Sequence, residues 1–106
     1  MIQDLTVRFY LKVTAPIKDK IYKLNVRVCY VNDYYEIYMI EGKRSIITIL
    51  TNRIALHRQD VLKNRKPNFY IINNGGLSSD DLSNICMIIT EHLNKRINPN
   101  KGLYEN

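Results

Sequence analysis

Tryptophan is absent from this chain, histidine and cysteine occur twice each, proline three times and glycine four times in 106 residues. Each scarcity removes a class of function. The two histidines, His57 and His92, leave little from which to assemble acid–base catalysis. His57 has Asp60 three residues on, His92 follows Glu91, and both read as solvated surface side chains. No HExxH, CxxC or DxDxDG spacing supplies the three or four ligands that zinc or calcium requires. No catalytic residue, metal or cofactor is therefore expected, and the chain reads as non-enzymatic. Cys29 and Cys86 lie far apart within apolar-patterned segments, where Cys acts as a small hydrophobe. They are expected as reduced, buried thiols of a cytoplasmic protein.

Long hydrophobic runs are also missing. No 18-residue apolar stretch is present to span a bilayer, and the Met1-Ile2-Gln3-Asp4 start has neither the basic nor the apolar region of a signal peptide, so no membrane association is expected. Gly and Pro are too rare, and low-complexity runs too absent, for a collagen-like or disordered chain. What is present is ordinary globular usage, 45% apolar and 25% charged, at a length that suits one domain over residues 1–106. Its Ile, Asn, Lys and Tyr content is compatible with an AT-rich bacterial or viral genome.

Net charge is +6 and unevenly spread: residues 1–67 hold thirteen Lys and Arg against six Asp and Glu, residues 68–106 three against four. The basic character of the first two thirds favours an anionic partner.

Periodicity gives an α+β domain, an antiparallel β-meander of four to five strands with a C-terminal amphipathic helix packed on one face. Leu5, Val7, Phe9, Leu11 and Val13 alternate with Thr6, Arg8, Tyr10 and Lys12, which is the pattern of a half-buried strand. Pro16 and the charges of residues 15–20 interrupt it. Leu24, Val26, Val28 and Tyr30 then resume the inward set, with Asn25, Arg27 and Cys29 outward. Asn32-Asp33 predict a tight hairpin into a strand over 34–40, and Gly42 a second turn into a β-branched strand over 45–51. Residues 53–63 read as a short helix in which Ile54, Val61 and Leu62 share a face with Arg58, in preference to a strand continued through Ile54 and Leu56; 63–68 read as a basic loop, and 69–72 as a short strand. The last helix starts at Ser78 or Ser79 and carries Asp80 and Asp81 in its first turn. Leu82, Ile85, Cys86, Ile89, Leu93 and Ile97 form its stripe, widened by Met87 and Ile88, and Asn98-Pro99-Asn100 ends it.

Two features test for a ligand. Asn74-Gly75-Gly76-Leu77-Ser78-Ser79 resembles a phosphate cradle in placing glycines before a helix, but it matches neither GxxxxGK[ST] nor GxGxxG. Asp80 and Asp81 would also repel a phosphate, so an ordinary turn with an N-cap is expected. The polar face of the first strands is the stronger candidate. There Thr6, Arg8, Tyr10 and Lys12 lie beside Lys23, Asn25 and Arg27, joined by Tyr34, Glu36 and Tyr38 if the third strand's register allows, with Lys43 and Arg44 extending the charge from the next turn. Cations neutralise phosphates, Arg and Asn read base edges, and Tyr stacks on unpaired bases, so Arg8, Tyr10, Lys12, Lys23, Arg27, Lys43 and Arg44 are the expected nucleic-acid contacts. A wet sheet face also carries such residues with no ligand at all.

The run Val7-Arg8-Phe9-Tyr10-Leu11-Lys12, a basic loop, and then Leu24 through Ile37 resembles the N-terminal arm-type DNA-binding domain of mobile-element tyrosine recombinases, over about a third of the chain. The resemblance implies a small antiparallel sheet entering the DNA major groove, with contact roles for Arg8, Lys12, Lys23 and Arg27. The strands over 45–51 and 69–72 and the lack of a tryptophan after the third strand depart from that pattern. The second expectation is an assembly subunit of a phage or mobile element that binds a protein partner or itself through its eight tyrosines or its edge strands.

Overall fold

A computed structural model describes residues 6–42, 45–58 and 66–96. It shows an α+β fold: β1 (Thr6–Ile17), β2 (Lys20–Tyr30), β3 (Glu36–Glu41), β4 (Ile46–Thr51), α1 (Arg53–Arg58), β5 (Phe69–Asn73) and α2 (Ser79–Arg96). The strands form one antiparallel sheet in the order β1-β2-β3-β4-β5, a meander in which each strand pairs with its sequence neighbour.

Alternation decides which side chains meet. Phe9, Leu11, Val13 and Ala15 of β1, with Leu24, Val26 and Val28 of β2, point to one side and are buried. Tyr38 and Ile40 of β3 and Ile47 and Ile49 of β4 continue that face. The stripe Leu82, Ile85, Cys86, Ile89 and Leu93 of α2 closes it into the main core. Ile88 packs against this cluster, but Met87 is half exposed and does not widen the stripe, because it lies off the sheet-facing side of α2. Ser78 is the N-cap. Its hydroxyl accepts the Asp81 N–H at 3.2 Å and its carbonyl the Leu82 N–H at 3.0 Å. Ile97 and the residues after it lie outside the described residues, as do Val61 and Leu62.

Three boundaries differ from the periodicity. First, β1 runs straight through Pro16 to Ile17. Proline has no N–H to give a neighbouring strand, but β1 is an edge strand paired only with β2, where that loss is tolerated. The turn is then only Lys18-Asp19. Lys18 sits in the left-handed region at φ 56°, and its N–H donates to Asp81 Oδ1 of α2 at 3.4 Å. Second, the β2–β3 connection spans residues 31–35 rather than two residues, because Asn32 Oδ1 accepts the N–H groups of Tyr34 and Tyr35 and folds an Asx turn. Third, a bulge interrupts β1 between Val7 and Phe9.

The Asn74-Gly75-Gly76 segment is a plain turn. The Gly75 and Gly76 N–H groups donate to the side chains of Asn73 and Asn74, so they are not free to cradle an anion. Gly75 has φ 61°, and a Cβ there would lie 2.5 Å from Ile47 Cγ1 in the core. Gly75→Ala is therefore expected to cost about 1–3 kcal/mol, more than Gly76→Ala, where the backbone is equally left-handed (φ 82°) but the surroundings are open. Thermal melts in which the two variants fall equally would show that Ile47 yields without cost.

Candidate nucleic-acid interface

The register of the β1–β2 hairpin pairs Tyr10 with Arg27, Lys12 with Asn25 and Thr14 with Lys23, directly across from one another. Opposed residues share a face, and these are on the side away from α2. The paired inward set, Leu11 with Val26 and Val13 with Leu24, is in the core. The helix therefore backs the hairpin and leaves its other side open. Tyr10, Lys12, Lys23 and Asn25 are exposed, and Arg27 is half-buried. An open groove of about 460 Å³ runs over this face, lined by Tyr10, Lys23, Asn25, Arg27 and Glu41 among others.

No ion pair among the described residues engages Lys12, Lys23 or Arg27. The Arg27 Nη2 is shielded from solvent and meets no hydrogen-bond partner. Beyond Arg27 the same face becomes apolar, for Cys29 and Ile37 are paired across β2 and β3 and both buried. Burial raises the Cys29 thiol above its ordinary range, with Arg27 pulling it partly back, and burial alone pushes Cys86 up to about 11. Both cysteines are free, buried and held as thiols, so neither has the character of a nucleophile. His57 and His92 are half-buried on separate helices. Among the described residues no three His, Cys, Asp or Glu side chains come together to hold a metal, and no helix is long and apolar enough to cross a membrane.

No protein-family model, curated protein or solved structure matches this chain.

The expected site residues separate into three groups. Tyr10, Lys12, Lys23 and Arg27 share the open face. Arg8 does not: as the extra residue of the bulge it escapes the alternation, and its guanidinium lies 4.5 Å from the centroid of the Tyr30 ring, which follows Val26 and Val28 on the helix side. Lys43 and Arg44 lie outside the described residues. Tyr34, Glu36 and Tyr38 do not join the face either. Tyr34 falls in the loop before β3, and the register aligns Glu36 with Tyr30 and Tyr38 with Val28, which turns both inward.

That inward turn builds a polar cluster not anticipated from the sequence. Glu36, Tyr38 and Arg53 are all essentially inaccessible. Arg53 donates through Nε to Glu36 Oε2 and through Nη2 to Oε1 at 2.9 Å, a bidentate pair, while the Tyr38 hydroxyl donates to Oε2 at 2.8 Å. Burial opposes the charge on Arg53, but the hydrogen bonds and charge of Glu36 more than offset it and hold the guanidinium firmly protonated. Burial, reinforced by the charge of Glu36, raises Tyr38 well above the usual phenol range. The available signal was Glu36 between Tyr35 and Ile37; Arg53, between Asn52 and Ile54, carried none.

Proposed function

We propose that the protein is a non-enzymatic binding module for nucleic acid, with DNA as its partner, acting through the open face of the β1–β2 hairpin. One observation carries this reading: the hairpin register sets three cations, Lys12, Lys23 and Arg27, which no ion pair among the described residues engages, beside Tyr10 and Asn25 on a face that the helix leaves free. Cations supply phosphate contacts, and Tyr and Asn supply stacking and hydrogen bonds to bases. Fluorescence anisotropy of a labelled DNA over a salt series tests it. The expected log–log slope is about −2 to −3, one counterion's worth for each of the three cations. Absent or salt-indifferent binding rejects it.

A second reading rests on β5. This edge strand carries no charge, and Tyr70, Ile71 and Ile72 are all exposed. Two chains of net charge +6 would meet there without bringing like charges together, and strand pairing would join their sheets. It predicts a concentration-dependent dimer in sedimentation that Ile71→Lys abolishes. A monomer at all concentrations removes this role.

A further inference from the structure

Resting on the nucleic-acid reading, we propose that the β1–β2 face selects single-stranded nucleic acid over duplex, receiving an unpaired base in the groove between Tyr10 and Glu41.

Charge is laid out unevenly across this face. Lys12 and Lys23 are diagonal neighbours on the half of the hairpin nearer its turn, because Lys12 faces Asn25 and Lys23 faces Thr14. Both are exposed, and together they make one line of cations. On the other side of the groove stands Glu41, one step beyond the Val26–Ile40 pair and hence next to Asn25. Glu41 is exposed and lies outside every ion pair among the described residues. A duplex presents phosphates along both walls of whatever groove the protein enters, so one of its backbones would meet the Glu41 carboxylate with like charge. A single strand has phosphates on one side and base edges on the other. It fits a groove with Lys23 on one wall, Lys12 flanking it, and a hydrogen-bond acceptor on the opposite side, since a carboxylate accepts from base N–H groups and repels phosphate.

The floor supports the same occupant. Tyr10 is 66% exposed in the middle of a strand, and its cross-strand partner is Arg27. An exposed aromatic ring on a sheet, across from an arginine, offers a stacking surface for a base, and stacking needs a π-face that paired bases already use on each other. Asn25, exposed on the same face, supplies a donor within reach of the same space, which the half-buried Arg27 also lines.

The test compares a DNA strand of about 12 nucleotides, within the span of small single-strand-binding modules, with its own duplex at one salt concentration. The single strand is expected to bind at least about ten-fold more tightly. Tyr10→Ala is expected to reduce single-strand affinity about ten-fold while Tyr10→Phe keeps it, and duplex affinity should respond to neither change. Because Tyr10 lies on the surface, these variants should fold as the parent does. Duplex binding as tight as single-strand binding, or insensitivity to Tyr10→Ala, overturns the inference and leaves the broader reading in place. Failure to bind either form overturns both.

Discussion

Arg53→Ala is expected to destabilise the fold by about 3–5 kcal/mol, a large share of what a domain of this size possesses. The loss comes from what stays behind. Glu36 is fully buried and takes both of the Arg53 hydrogen bonds, so removing the guanidinium leaves a carboxylate in the interior with only the Tyr38 hydroxyl among the partners named above. Urea unfolding should show a lower midpoint at unchanged slope. The triple change Glu36→Leu, Tyr38→Phe and Arg53→Met removes both charges together with the hydroxyl that donates to Glu36, fills similar volume, and should unfold close to the parent, since an apolar replacement avoids the desolvation cost of the ion pair and leaves no buried donor behind. It would also relieve Arg53 Nη1, which is buried without a hydrogen-bond partner. A loss below about 1 kcal/mol for Arg53→Ala would mean that the network carries little of the fold's stability.

The same cluster sets an alkaline limit. The folded state holds the Tyr38 phenol neutral well above its ordinary value of 10.0, because burial and the Glu36 charge both disfavour the phenolate. A group raised on folding contributes its stability in full below the unfolded value and loses it as pH climbs towards the folded one. Cys86 behaves alike between 9.0 and about 11, and Cys29 in the same direction. Stability should therefore begin to fall near pH 9 and fall faster above 10. Tyr38→Phe should flatten the steeper part while leaving the thiol contribution, as thermal melts across that range would show.

Much of the architecture was legible locally. Leu24, Val26 and Val28 of β2, Leu82, Ile85, Cys86, Ile89 and Leu93 of α2 and the run Phe9, Leu11, Val13 follow from periods of two and 3.6, and the structure shows them in one core, whereas Tyr30, expected inward with the β2 set, is half-buried outside it. What escaped depends on partners. The alternation through Val7, Arg8 and Phe9 is unbroken in the sequence, yet the bulge shifts Arg8 to the other side because register belongs to the pair of strands and not to either one. Likewise the face taken by Glu36 and Tyr38 hangs on the length of the 31–35 connection. Asn32 sets that length by accepting two backbone N–H groups, and a one-residue difference there would send both side chains to the opposite face. Arg53 was unreadable for the same reason, since its partner is 17 residues away and becomes buried only through that register. Tyr10, Lys12, Lys23 and Arg27 did come together, because their strands are joined by the shortest turn in the sheet and little can slip between them.

The largest functional effect is expected from Lys12→Glu combined with Lys23→Glu. Each phosphate contact contributes a slope of about −0.9 to the salt dependence, which near 0.1 M salt is roughly one order of magnitude in affinity. Losing two contacts and adding repulsion should weaken binding by about two to three orders of magnitude and flatten the slope by about two. Net charge must be separated from contact. Lys66→Glu with Lys95→Glu lowers the charge by the same amount, from +6 to +2, but changes exposed residues in the loop before β5 and on α2 rather than on the hairpin. That control pair should weaken binding only modestly and keep the slope, because a diffuse field speeds encounter without releasing counterions at a contact. Arg8→Glu should resemble the control, since the Arg8 guanidinium is stacked on Tyr30 away from the groove. Equal losses from the hairpin pair and the control pair would reduce the interaction to unspecific attraction and remove the β1–β2 face as the site.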